Sequence, residues 1–268
     1  MADEKKEATN SRDSVKNTLI VSITLSLVAS VLVASAAVVL KPVQERNEER
    51  YRQQIILDVA GLWEPGGDVE SLFSSIEPRL IELDTGAYSD DLDANSFDGE
   101  EAARDPALRV GIPAEQDLGN IRQRARYSVV YLVRDSGDID QVILPVYGTG
   151  LWSTMRGFLS LEPDGNTVRG LRFYEHAETP GLGDQIDKPD WRSLWPGKTL
   201  FGDGDTPLID VVRGEADPAS PLADHQVDGL SGATLTGRGV ANLIRYWTGP
   251  HGFGPYLAKL REEANDDD

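Results

Sequence analysis

Thr18 to Leu40 contain no charged residue. As a helix this run of about 23 residues reaches about 35 Å, enough to cross the hydrocarbon core of a bilayer. A lipid-exposed backbone must satisfy its own polar groups, so the run is restricted to a helix and the remaining chain to an appendage of a single span. The rival reading is a cleaved signal peptide, because Ala34-Ser-Ala36 looks like a cleavage site. The run exceeds a signal core, and its lead-in carries acids as well as bases, so an uncleaved anchor is expected. Charge does not orient it: Lys5, Lys6, Arg12 and Lys16 precede the span, and Lys41, Arg46, Arg50 and Arg52 follow it. Ser22, Ser26, Ser30 and Ala34 recur every four residues and form a stripe of small side chains. Such a stripe suits docking on a partner span, or local bonding of each serine to its own helix.

The rest of the 268 residues suffices for one medium domain or two small ones, and 40% hydrophobic content supports a core. A formal net charge of −19 with no basic stripe argues against nucleic acid as a partner. The sequence has no cysteine, which excludes disulfides, thiolate-bound iron–sulfur clusters and c-type haem. His176, His225 and His251 are not spaced as a zinc site, and no metal site is expected. If the chain moves electrons, it needs an organic cofactor.

Glu45 to Leu62 reads as a helix leaving the membrane, and Val69 to Ile81 as a second helix through Leu72, Ile76 and Leu80. Asp84 to Pro106 is acidic and reads as a surface insertion or mobile loop, with a calcium site the less favoured alternative. Strand patterns begin at Arg126. Tyr127 to Val133 and Gln141 to Val146 flank the turn Asp135-Ser-Gly-Asp138, and Phe158 to Glu162 and Thr167 to Glu175 flank Pro163-Asp-Gly-Asn166. Leu208 to Arg213 is a further strand candidate. Mostly antiparallel strands with helices at both ends give an α+β class. No Gly-x-Gly-x-x-Gly follows a strand, so the chain is not expected to bind NADH itself. The expected division is an N-terminal segment 1–17, a transmembrane helix 18–40, a helical membrane-proximal region 41–125 with the acidic insertion, an α+β domain 126–262 and an acidic tail 263–268.

Asp228-Gly-Leu-Ser-Gly-Ala-Thr-Leu-Thr236 runs into a short amphipathic pattern, Gly239 to Trp247, with Val240, Leu243, Ile244 and Trp247 on one face. Thr234 is thereby delivered to a helix N-terminus, where unpaired backbone N–H groups favour an anion. The plain alternative is that Ser231, Thr234 or Thr236 simply caps the helix. Ser231-Gly232-Ala233-Thr234, preceded by Asp228-Gly229, resembles the flavinylation motif of membrane-bound FMN carriers of bacterial respiratory complexes. With Ile56-Leu-Asp-Val-Ala-Gly61, Tyr147-Gly-Thr-Gly-Leu-Trp152, Glu178-Thr-Pro-Gly-Leu-Gly183 and the membrane segment, the chain is similar to the C subunits of sodium-translocating NADH:quinone reductases. It departs from them at Gly237-Arg238, where Ser-Asn is usual.

This resemblance implies FMN attached covalently to Thr234 through a phosphoester, installed by a flavin transferase. It implies electron transfer from NADH toward ubiquinone within a multi-subunit complex that exports sodium. It also implies a periplasmic main domain on a single-pass protein of the bacterial inner membrane. The charge tie leaves this orientation to the resemblance alone. Around the cofactor it suggests Trp152 as an aromatic wall, Leu182 against the ring, and Glu178, Thr179 and Gly181 as close neighbours. Arg238 is a candidate partner of the phosphate. Each has a plain alternative: a core tryptophan for Trp152, a structural turn for Glu178 to Gly183, an exposed arginine for Arg238. Asp228 either orients the loop, assists the transferase, or is only a turn residue. The alternatives for the whole chain are the G subunit of the ion-translocating ferredoxin:NAD reductase complex and a non-redox, membrane-anchored binding module.

Overall fold

The computed structural model describes residues 15–266. The expected segment 1–17 falls outside these residues up to position 14, as do the last two positions of the acidic tail. The chain divides into two units, 1–49 and 50–268. The first contains most of helix α1 (Val15–Val59), which is long and apolar enough to cross a membrane. Its apolar side chains from Leu19 to Leu40 are uncovered by protein. The Ser30 hydroxyl donates to the Ser26 carbonyl at 2.7 Å, so this serine of the stripe is satisfied within its own helix.

The sequence predicts a span over 18–40 and a helix over Glu45 to Leu62; the structure joins both in α1, which continues through Pro42 and ends at Val59. Proline lacks the N–H that would bond the preceding turn. The following Gln44-Glu-Arg-Asn-Glu-Glu-Arg50 is rich in good helix formers, which keep the helix going.

The second unit is built on a six-stranded antiparallel sheet. Its strands are β1 (Ile76–Glu82), β2 (Ala87–Tyr88), β5 (Tyr127–Asp135), β6 (Asp138–Thr149), β7 (Thr154–Leu161) and β8 (Val168–Glu175), in the order β2-β1-β5-β6-β7-β8. A small antiparallel pair, β3 (Arg109–Gly111) and β4 (Gln123–Ala125), and a parallel pair, β9 (Asp210–Val211) and β10 (Gln226–Val227), lie outside it. Short helices α2 (Val69–Phe73), α3 (Gly99–Ala102) and α4 (Pro189–Arg192) precede the two longer C-terminal helices, α5 (Thr234–Thr248) and α6 (Gly254–Asp266).

The expected helix over Val69 to Ile81 is corrected: only Val69–Phe73 is helical, and Ile76–Glu82 is a strand paired along its length with β5. A spacing of four between Ile76 and Leu80 fits a strand face as well as a helix face, and Pro78 disfavours a helix interior. The helical region expected over 41–125 therefore supplies two strands of the main sheet. The acidic stretch is also tied down more than a free loop would be. Asp98 caps α3 by accepting from the N–H groups of Glu100 and Glu101, Glu100 pairs with Arg156, and Asp91 accepts from the Tyr127 hydroxyl.

Both sheet faces are covered, which explains near-continuous apolar runs such as Val142-Ile-Leu144 in β6. On one face Val142, Leu144, Leu159 and Phe173 join Val240, Leu243, Ile244 and Trp247 of α5 and Leu257 of α6. On the other, Ile143, Val133 and Phe158 pack with Ile55, Ile56, Leu57 and Val59 from the end of α1. Each fully buried aliphatic side chain stabilises the fold by about 1.5–3 kcal/mol. Asp58, within the Ile56-Leu-Asp-Val-Ala-Gly61 motif, accepts from Arg192 at 2.9 Å and lies 2.8 Å from Arg172. That motif is thus a joint between the end of α1, β8 and α4.

Candidate functional site

Three loops meet where β6 and β8 end and β7 begins. The first is the β6–β7 hairpin tip, closed by the Gly150 N–H on the Ser153 carbonyl at 2.7 Å. The second follows β8, and its Ala177 N–H donates to the Ser153 hydroxyl at 2.8 Å. The third is Leu230 to Ala233, which leads into α5.

Glu178 joins them. Its side chain is buried, only 4% exposed. One carboxylate oxygen accepts the N–H groups of Leu151 and Trp152 at 3.0 and 3.1 Å, and the other accepts the Thr236 hydroxyl at 2.5 Å. Buried charge is costly unless hydrogen-bonded, and three donors meet that demand. Two glycines make room: a Cβ at Gly183 would sit 2.8 Å from both Glu178 Cβ and Thr236 Oγ1, and one at Gly150 would collide with Glu178 Oε1. The Glu178 N–H donates to His176 Nδ1 at 3.2 Å, so the other ring nitrogen, Nε2, carries the hydrogen and donates to Asp187 at 2.8 Å.

Around this joint the surface is apolar and open. Trp152 is 69% exposed and Leu182 42% exposed; Leu151 and Leu235 are exposed as well. The Trp152 indole N–H donates to the Thr179 hydroxyl at 3.0 Å, which fixes the ring over the loop after β8. Gly181 and Gly232 both take positive φ, +78° and +74°, a backbone that glycine adopts without strain. A Cβ at Gly232 would lie 2.9 Å from Leu182 Cδ2, so Leu182 packs on the loop that carries Ser231 to Ala233.

Helix α5 starts at Thr234, five residues before the beginning that the amphipathic pattern predicts. Gly237 and Gly239 weaken the pattern in the sequence, but both are buried and the first turn is held by Thr236. The N-cap residue is Ala233, and no side chain caps the helix. The simple capping role considered for Ser231, Thr234 or Thr236 is therefore not what the structure shows. Thr234 is exposed at the first helical position, and Arg238, one turn later, is exposed too.

Among the candidate residues, Trp152, Thr179, Gly181, Leu182, Gly232, Ala233 and Thr234 thus share one region. Ser231 is exposed, and its carbonyl lies 3.5 Å from the Gln185 amide. Glu178 is there as well, but its carboxylate is occupied by protein donors and braces the loops. Asp228 sits apart: it accepts the Ala216 N–H at 2.8 Å, and its carbonyl accepts the Trp191 indole at 2.9 Å. These ties hold the loop at the wall of a cleft of about 600 Å3 lined by Lys188, Trp191 and Ser231. Ser153 and Gln185 tie loops together across 24 and 46 positions of sequence, and no local motif announces such contacts.

The arrangement fits flavin mononucleotide. An exposed hydroxyl stands at an uncapped helix N-terminus, where unpaired N–H groups suit a phosphate. Exposed apolar side chains beside it suit a flat ring, and a hydrogen-bonded joint beneath them holds their loops.

Comparison with known proteins agrees. Residues 150–249 match the family described as FMN-binding domain. The chain is 48% identical over 255 residues to the C subunit of the Na(+)-translocating NADH-quinone reductase of Pseudomonas aeruginosa, covering 94% of this chain and 98% of that protein. It is also 48% identical to the corresponding protein of Haemophilus ducreyi, over 94% of this chain and 97% of that one. Among solved structures, NqrC of Shewanella oneidensis superposes with a TM-score of 0.72 at 36% identity, covering 81% of this chain and 99% of that chain. The C subunit from Parabacteroides distasonis gives 0.61 at 27% identity, covering 81% and 96%. The FMN-binding match lies over the three loops just described, and the relatives match nearly end to end: the chain belongs to the family of C subunits of Na(+)-translocating NADH-quinone reductases.

Proposed function

We propose that this chain holds FMN covalently, through a phosphoester on Thr234, and that a flavin transferase installs it. As a family member, the chain is the electron-carrying flavin subunit of a sodium-translocating NADH-quinone reductase, a multi-subunit oxidoreductase. Its N-terminal apolar helix anchors it in the membrane. We further propose that the folded unit lies on the periplasmic side of a bacterial inner membrane and passes electrons onward toward ubiquinone. The ferredoxin-linked G subunit is not favoured, since the relatives above are all NADH-quinone reductase subunits.

When bound, FMN supplies reversible uptake and release of electrons. The chain's own residues supply the rest. Thr234 offers the acceptor oxygen. Its exposed hydroxyl would bond the flavin phosphate, with the transferase supplying the flavin donor and the base that takes the threonine proton. The start of α5 favours the remaining negative charge, and Arg238 is within reach of the same helix face. Trp152 and Leu182 flank the ring and exclude water from part of it, while Thr179 orients Trp152.

The observation that carries this reading is the exposure of Thr234 at the uncapped first position of α5, beside exposed Trp152 and Leu182. The test is the intact mass and denaturing-gel fluorescence of the full chain made with and without the transferase. Wild type should gain one FMN that survives denaturation, and Thr234→Val should gain none. Flavin persisting in Thr234→Val would place the attachment elsewhere, with exposed Ser231 the next candidate. Protease added to intact spheroplasts should digest the folded unit, and complete protection there would reverse the orientation.

A further inference from the structure

We infer that Glu178 is a positioning residue for the acceptor threonine: it holds Thr236 inward and thereby turns Thr234 outward. The inference rests on the reading of Thr234 as the acceptor. Successive helix residues are rotated by about 100°, so residues two positions apart, such as Thr234 and Thr236, lie about 200° apart. Thr236 is the third residue of α5, 1% exposed, with its hydroxyl on Glu178. Pinning that side chain to the interior sets the helical phase, and Thr234 then faces solvent on the opposite side.

The same carboxylate holds the hairpin tip that presents Trp152, through the N–H groups of Leu151 and Trp152. One group therefore sets the acceptor hydroxyl and the aromatic wall in a common frame. Among the described residues no lysine or arginine lies within ion-pair distance of Glu178. Its carboxylate is held by N–H and O–H donors whose positions matter to the site. Its carboxylate bonds Thr236 and the tip rather than the Thr234 hydroxyl, so its effect runs through Thr236 and the tip.

The test follows flavin attachment to the full chain by intact mass, at varied transferase concentration, for wild type, Glu178→Ala, Thr236→Val, Thr236→Ser and the double variant Glu178→Ala with Thr236→Val. Losing a hydrogen bond to a buried charge should slow attachment at saturating transferase by about tenfold or more. The transferase concentration at half-maximal rate should stay near the wild-type value, because the surface that meets the transferase is unchanged. The double variant should be no slower than the slower single one, since both remove the same tie. Thr236→Ser keeps the hydroxyl and should restore the rate to within about twofold. Val133→Ala, in the core beneath the other sheet face, lowers stability without touching the site and should attach flavin at the wild-type rate. Thr236→Val nearly conserves volume and serves if Glu178→Ala does not fold. A wild-type rate in either single variant, additive losses in the double, or equal slowing in Val133→Ala would overturn the inference. Wild type that gains no flavin mass would instead overturn the acceptor reading on which it rests.

Discussion

Asp58, in the last turn of α1, lies 2.8 Å from the Arg172 guanidinium of β8. Arg192 of α4 donates to the same carboxylate oxygen at 2.9 Å. All three side chains are only about a quarter exposed, so water screens the cluster less than a surface pair. Removing the acid takes the ion-pair partner from Arg192 and leaves Arg172 with only Asp187, 3.9 Å away. Asp58→Ala should lower the stability of the folded unit by about 1–3 kcal/mol, read as a fall in thermal midpoint. Asp58→Asn keeps an acceptor and should lose less. No change in either variant would make the cluster a surface ornament and remove it as the joint between the end of α1 and the sheet.

Two glycines of the loop after β8 should respond differently to the same change. A methyl group at Gly183 would stand 2.8 Å from Glu178 Cβ and Thr236 Oγ1, whereas at Gly181 it would meet nothing within 4 Å. Gly183→Ala should cost about 1–3 kcal/mol through overpacking and should also reduce flavin attachment, because the brace must shift. Gly181→Ala pays only for its positive φ, about 1 kcal/mol, and should leave attachment near normal. Equal effects on attachment in the two variants would break the link between the Glu178 brace and the acceptor.

Two buried tyrosines, Tyr246 and Tyr256, and two partly buried ones, Tyr147 and Tyr174, make the fold sensitive to alkali. Burial pushes the phenols of Tyr174 and Tyr246 up to about 12, and burial raises those of Tyr147 and Tyr256 as well, Tyr256 also through its bond to Tyr88. A raised folded pKa means that the stabilising preference is complete below the unfolded value of about 10 and is lost as pH rises toward the folded value. Each phenol that ionises only on unfolding should lower stability by about 1.4 kcal/mol per pH unit in that window. The thermal midpoint should hold to about pH 10 and then fall steeply. Absorbance of ionised tyrosine should rise together with unfolding. Tyr147→Phe should flatten the decline, and an unchanged slope in that variant would mean that this phenol ionises equally easily in the folded state.

How much of this is legible in the sequence differs by element. The hairpins are, because β-rich runs flank turn residues and pairing between neighbours in sequence is local: β5–β6 and β7–β8 form where Asp135 to Asp138 and Pro163 to Asn166 predict turns. β1 is not, because Ile76 and Leu80 satisfy both periods and its partner β5 lies about 50 positions later in sequence. The continuity of α1 is hidden because the apolar run ends at Leu40 and the charged stretch that follows carries Pro42, which the helix tolerates. Within the site, the small residues up to Thr234 and the exposed Trp152 can be singled out from the sequence and its resemblance. Glu178 stands out too, but its duty does not, since a carboxylate near a cofactor motif looks like a contact. Its donors, Leu151, Trp152 and Thr236, lie 27, 26 and 58 positions away, and only folding brings them to it.

Trp152 offers the most direct reading of where the ring lies. It is 69% exposed, and its one described polar side-chain tie is the indole N–H on Thr179. A tryptophan so exposed stabilises a fold little, and a surface substitution of this kind should shift stability by no more than about 0.5–1 kcal/mol. An indole in contact with a flavin quenches its fluorescence by electron donation to the excited ring. Trp152→Ala should therefore fold, accept flavin on Thr234 as judged by mass, and fluoresce several-fold more strongly than wild type in the native state. The two proteins should match after denaturation, when neither ring is held against a neighbour. Thr179→Val keeps the indole but removes its anchor, and should give an intermediate brightening. Native fluorescence equal to wild type in Trp152→Ala would place the ring away from this side chain and leave Leu182 as the wall to examine.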